Sequence, residues 1–242
     1  ARTIASLSHP HIVQVFDTEA AYATYFIVME KLSGVDLAQV LAKRSVLPPD
    51  EAVTILRQIA EALAYAHSRG FAHRDVKPAN VAFDERGQIK LMDFGLARPI
   101  QAGIRTESVE VTIRYLAPET ALGQPVDGRI DIYALGLMAF EMLTGDHPFH
   151  AKTPKEWLEA QAWQEPPNIR DLKPDLPESL VTFVRGALIK DPDKRLNDWG
   201  RIQGLLQGGK PAEDFWTRKQ ERVITIRYTP ELSKLVDRAS DR

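Results

Sequence analysis

The apolar positions of this 242-residue chain change period several times, and the changes mark its elements. The first eight residues have helical character, stopped at His9-Pro10-His11. Residues 12–17 and 24–30 are short runs rich in β-branched and aromatic residues and predict a pair of strands. A long helix opens at Pro48-Pro49-Asp50-Glu51, because proline and acidic side chains suit a first turn with unpaired N–H groups and a positive dipole. Val53, Leu56, Ile59, Ala60, Leu63 and His67 then recur at helical spacing, and Gly70 suits the end of that helix. Val81-Ala82-Phe83 and Ile89-Lys90-Leu91-Met92 flank a Glu85-Arg86-Gly87 turn and predict a small hairpin.

Residues 129–144 carry apolar side chains on every side, which predicts a helix buried all round and ended by Gly145. Three more helices are predicted near 154–162, 177–189 and 198–207, and Gly208-Gly209-Lys210-Pro211 is the clearest linker. Beyond it the pattern changes. Residues 222–228 alternate, with Ile224, Ile226 and Tyr228 on one face, and Thr229-Pro230 leads into an amphipathic stretch with Leu232, Leu235, Val236 and Ala239. A lone strand and helix cannot bury their own apolar face, so this tail reads as the start of another domain or as an element that docks on the main body.

Composition adds mainly exclusions. At 44% apolar and 26% charged residues the chain is an ordinary globular protein, long enough for one large domain or two small ones. A net charge of −2 gives no reason to expect nucleic acid or an anionic membrane as partner. With no cysteine there is no disulfide, thiolate metal site or cysteine nucleophile, which fits a cytoplasmic protein. The longest apolar run, Ile132 to Phe140, is far too short to span a bilayer.

Chemistry concentrates in two runs, His73-Arg74-Asp75-Val76-Lys77-Pro78-Ala79-Asn80 and Asp93-Phe94-Gly95. Together they hold a candidate base, a cation and two hard oxygen ligands suited to Mg²⁺.

Their order and spacing resemble the eukaryotic-like serine/threonine protein kinases, with a bacterial flavour, over residues 1–207. The resemblance implies an α+β, protein-kinase-like fold, mostly the helical C-terminal lobe plus the last strands of the N-terminal lobe. Residues 1–30 would be the remnant of that N-lobe, 31–207 the hinge and C-lobe, and 208–242 a linker with the strand-helix extension. It further implies transfer of the ATP γ-phosphoryl group to Ser or Thr hydroxyls of a protein substrate, with ATP and Mg²⁺ as cofactors. Asp75 would orient the hydroxyl and take its proton. Lys77 would stand beside the transferring phosphate, and Asn80 and Asp93 would hold the metal. Thr112 matches the threonine that the family sets against the aspartate and lysine, although Val111 replaces the usual preceding glycine.

Adenine recognition would run through Met29 as gatekeeper, the backbone of Glu30 and Leu32, Asp36 toward the ribose, and Ala82 beneath the ring. Ile4 and Val15 would top a hydrophobic column completed by His73 and Phe94. In Ala117-Pro118-Glu119, Glu119 would pair with Arg195, and Asp131 would hold the catalytic loop's backbone; both are scaffold. Arg74 would receive an activation-segment phosphate on Thr106 or Ser108, a role that Glu107 and Glu110 partly imitate.

Part of the family's pattern is missing. There is no Gly-x-Gly-x-x-Gly run and no lysine before Lys31. The resemblance places the helix glutamate that pairs with the family's strand lysine just before Ala1, so the expectation is an N-terminally truncated, impaired fragment. Its uncovered strand surface would invite a partner. Two other readings stand beside the kinase: a non-catalytic kinase-lobe binding or scaffold module, and a small-molecule phosphotransferase. Lys77, Ala117-Pro118-Glu119 and Arg195 weigh against the last.

Overall fold

The computed structural model describes residues 7–21, 24–94 and 113–208. Ile4, Gly95, the activation-segment residues Thr106, Glu107, Ser108, Glu110, Val111 and Thr112, and the extension from residue 209 lie outside them.

Strand β1 (Val15–Ala21) pairs antiparallel with β2 (Thr24–Met29), with a register shift between Val15 and Asp17. The first strand therefore begins later than residue 12. The apolar residues Ile12 and Val13 pair elsewhere: Ile12 forms a parallel bridge to Leu91, and Val13 N donates to the Leu91 carbonyl at 3.0 Å. Helix α1 (Leu37–Arg44) follows, capped by the Asp36 carboxylate, which accepts from Gln39 N at 2.8 Å. The sequence reading missed this short helix. Its signals are an aspartate at the N-cap position and buried Leu37 and Val40 three apart.

Helix α2 (Pro49–Ser68) has Pro49 in its first turn and acidic Asp50 and Glu51 beside it, as the pattern requires. A 3₁₀ turn (Pro78–Asn80) leads into the hairpin β3 (Val81–Phe83) and β4 (Ile89–Leu91), paired Val81 to Leu91 and Phe83 to Ile89. Then come α3 (Pro118–Ala121), α4 (Arg129–Thr144), α5 (Pro154–Trp163), α6 (Ile169–Leu172), α7 (Glu178–Ala187) and α8 (Trp199–Leu205).

Helix α4 is buried around its whole circumference through Ile130–Phe140 and ends at Gly145, whose φ of 87° is left-handed. It is the axis of the helical body, with α2 and α7 packed on it. Helices α7 and α8 are shorter than the runs 177–189 and 198–207 suggest. The α7 C-cap falls at Leu188, and Leu196 N turns back to the Gly186 carbonyl at 3.0 Å. Lys190 closes the end of α5, donating to the carbonyls of Ala160 at 3.2 Å and Gln161 at 2.7 Å and to the Tyr133 hydroxyl at 2.9 Å. The result, among the described residues, is an α+β fold, a mostly helical lobe with two small sheets. Among the described residues no helix is long and apolar enough to cross a membrane.

Candidate active site

The segment between α2 and β3 carries the first signature run, and α4 holds it from below. Asp131, in the first turn of α4 and 1% exposed, accepts the backbone N–H of His73 at 2.7 Å and of Arg74 at 2.8 Å. Those bonds matter because Arg74 has φ 68°, a left-handed conformation that costs a non-glycine residue about 1–2 kcal/mol. Asp131 thus has the backbone-holding position expected of it.

His73 is fully buried. Its Nδ1 accepts the N–H of Asp75 at 3.2 Å, so its proton is on Nε2, which donates to the Met92 carbonyl at 2.8 Å. Burial lowers its pKa, outweighing the opposite pull of the Asp131 carboxylate. Its ring lies 4.4 Å from that of Phe94. Val15 is buried as well.

The turn after His73 brings three of the predicted residues together. Lys77 Nζ donates to both carboxylate oxygens of Asp75, at 2.9 and 2.7 Å. Asn80 Nδ2 donates to the Asp75 backbone carbonyl at 2.7 Å and to its Oδ2 at 2.9 Å. Asn80 is 1% exposed, and its Oδ1 is buried with no hydrogen-bond partner. Such an oxygen is open to an ordered water or to a bound ion. Asp93 enters from the end of β4, where Met92 N donates to the Asn80 carbonyl at 2.9 Å. Its φ of 61° is left-handed, the second such non-glycine residue of the site. An amide oxygen and a carboxylate are hard donors of the kind Mg²⁺ prefers, so these residues fit that ion.

The residues predicted for adenine lie at the end of β2, along the chain leading to α1 and, for Ala82, on β3. Met29 is 39% exposed and pairs with Val15, and Leu32 is half-buried. Glu30 is tied in place: its N donates to the Gln14 carbonyl at 2.9 Å, and its Oε1 accepts from Gln14 N at 2.7 Å and Lys90 Nζ at 2.8 Å. Asp36 and Ala82 are backbone neighbours through an antiparallel bridge. Gly34 makes this close approach possible, since a Cβ there would sit 2.0 Å from the Phe83 carbonyl oxygen. The Asp36 carboxylate is also the α1 cap, a use the sequence reading did not include. Thr112 lies outside the described residues.

Below the site, Glu119 and Arg195 form the expected pair, two parallel bonds of 2.7 and 2.8 Å with both side chains at most 3% exposed. The segment just before α3 is anchored too. The Arg114 carbonyl accepts from His147 Nε2 at 2.8 Å and from the Gln161 side chain, and the Tyr115 hydroxyl donates to the Glu141 carboxylate. Burial pushes the Tyr115 pKa well up, and the neighbouring Glu141 carboxylate adds to it. His147 and Gln161 went unnoticed in the sequence, where nothing connects them to residue 114.

A carboxylate clasped by a lysine, a buried asparagine oxygen and a second carboxylate just past the next strand thus stand together in the order that the kinase resemblance implies. The chain belongs to the protein kinase domain family, whose model matches residues 1–207. Among its relatives are the serine/threonine-protein kinase PrkC of Bacillus subtilis, 33% identical over 98% of this chain and 36% of that protein. The probable serine/threonine-protein kinase PknB of Corynebacterium glutamicum is 39% identical over 96% of this chain and 37% of its own length. Serine/threonine-protein kinase PknB of Mycobacterium leprae is 34% identical over 88% and 36% respectively. The chain spans little more than a third of the length of these curated relatives.

Proposed function

We propose that this site moves the γ-phosphoryl group of ATP to a Ser or Thr hydroxyl of a protein substrate. Asp75 orients the hydroxyl and accepts its proton as the new O–P bond forms and the bond to the β-phosphate oxygen breaks. Lys77 faces the charge that gathers on the phosphoryl oxygens. Asn80 Oδ1 and the Asp93 carboxylate would hold Mg²⁺, which would supply charge neutralisation for the phosphates. Thr112 completes the group that positions the hydroxyl. For the nucleotide, the Glu30 and Leu32 backbone meets the purine edge, Met29 and Ala82 flank the ring, and Asp36 turns its oxygen not used for capping toward the ribose. The observation that carries this reading is the Asp75 carboxylate held between Lys77 and Asn80, with the Asn80 oxygen buried and unpartnered.

These 242 residues include no glycine-rich loop and no lysine before Lys31. We therefore expect this stretch by itself to bind ATP weakly and to transfer slowly. A non-catalytic binding module is the second reading, supported by the exposure of Phe16, Val28 and Met29 at 64, 48 and 39% on β1 and β2. The test is transfer of labelled γ-phosphate by the full-length gene product to a Ser/Thr protein substrate, with and without Asp75→Asn. Transfer by the wild type that D75N abolishes is expected. Turnover retained in D75N refutes the role of Asp75, and a wild-type protein without transfer that still captures a partner through Phe16 favours the second reading.

A further inference from the structure

Asp131 does more than receive the two catalytic-loop amides. Its Oδ2 accepts a third bond, from His67 Nε2 at 2.8 Å. His67 sits at the end of α2, and its other ring nitrogen is also engaged: Trp199 Nε1, at the start of α8, donates to His67 Nδ1 at 3.1 Å. An indole nitrogen only donates, so Nδ1 is the acceptor and the His67 proton stands on Nε2, facing Asp131. The two rings meet edge to face at 5.1 Å and 73°. On the other side Gly128 presses close, since a Cβ there would lie 2.6 Å from His67 Cε1. The imidazole is therefore held by an indole, a glycine backbone and a carboxylate.

We propose that Trp199 is a positioning residue for the catalytic loop, acting through His67 and Asp131. By occupying Nδ1 it sets the His67 tautomer that presents a donor to Asp131. That donor satisfies a carboxylate almost sealed from water and aims it at the amides of His73 and Arg74. The chain of contact runs Trp199 to His67 to Asp131 to the strained backbone of Arg74, next to Asp75. It joins α8, α2 and α4 to one point on the loop. The charged groups near the His67 ring are Asp131 on α4 and, lining the same pocket as His67, Asp127 and Arg129. Arg129 is engaged by Asp127 and Asp193 and is not available to Asp131. The inference rests on the kinase reading for its functional effect, but its structural content does not.

Trp199→Phe keeps an aromatic ring and removes only the N–H donor. On the intact protein, amide hydrogen exchange at His73 and Arg74 is expected to quicken about tenfold, with kcat reduced similarly and the KM for ATP unchanged. His67→Gln supplies a reference, because the glutamine amide donates to Asp131 without needing an indole partner. In the H67Q background, W199F is expected to have no further effect on the two amides. Unchanged exchange in W199F overturns the proposal. So does an effect of equal size in the H67Q background, which would make Trp199 a packing residue only. Because exchange is read without turnover, an inactive protein leaves this test intact and counts only against the kinase reading.

Discussion

Lys77 lays its ammonium across both oxygens of the Asp75 carboxylate, at 2.9 and 2.7 Å. The two residues are two apart in sequence, and the backbone just before them is pinned at His73 and Arg74 by Asp131. Lys77→Ala should leave Asp75 in place through Asn80 yet remove the cation proposed to face the transferring phosphate. We expect kcat to fall roughly 10²–10³-fold with little change in the KM for ATP. Steady-state phosphotransfer by the full-length protein checks this.

Asn80→Ala removes the orphaned oxygen and also a bond to the Asp75 carboxylate. Affinity for a divalent ion in the presence of nucleotide should drop by roughly 10–100-fold. Electron paramagnetic resonance of Mn²⁺ binding measures it directly, and an unchanged affinity would remove Asn80 from the metal site.

Arg195→Met leaves the Glu119 carboxylate buried with no counter-charge, and it orphans the carbonyls of Ile189, Arg129 and Lys190 that the guanidinium also serves. Breaking such a pair from one side costs about 3–5 kcal/mol. A denaturant midpoint should show that loss, with partial recovery when Glu119→Gln is added. Arg195→Lys should not rescue, because an ammonium lacks the planar fork.

His147 gives the fold an acid-sensitive joint. Burial and the nearby Arg114 guanidinium lower its pKa from 6.5 to about 4. The unfolded chain therefore takes up this proton first as pH falls. Stability is full above about pH 6.5 and is lost on the way down to about 4, by up to roughly 3 kcal/mol from this group. His147→Gln should flatten that step in chemical unfolding measured across the range.

Lys190 acts at the other end of the scale. Burial lowers its ammonium from 10.5 to about 8. Between those values the unfolded chain holds the proton and the folded one sheds it, so this group makes stability rise with pH from about 8 to 10.5. Lys190→Met should remove that rise from a melting series.

Much of this architecture was legible in the residues because it depends on local pattern. The span of α4 follows from apolar side chains on every side of 129–144 and a glycine free to turn left-handed at 145. The grouping of Asp75, Lys77 and Asn80 follows from a short turn that leaves them nowhere else to go. What escaped was long-range. Ile12 and Val13 look like strand residues, yet they pair with β4 instead of β2, and no local propensity distinguishes those partners. Trp199 and His67 are 132 positions apart, and neither type nor spacing links them. Asp36 was noticed for a ligand role, while its service as a helix cap depends on the backbone geometry of α1.

The pairing of Ile12 with Leu91 has a mechanical consequence. Leu91 stands two residues before Asp93, and the Leu91 N–H donates to the His11 carbonyl at 2.9 Å while its own carbonyl takes Val13 N. The chain leading into the upper sheet is thereby sewn to the strand that leads to Asp93. The Lys90–Glu30 ion pair ties the end of β2 to the same strand, so a pull on the upper sheet would be felt at Asp93.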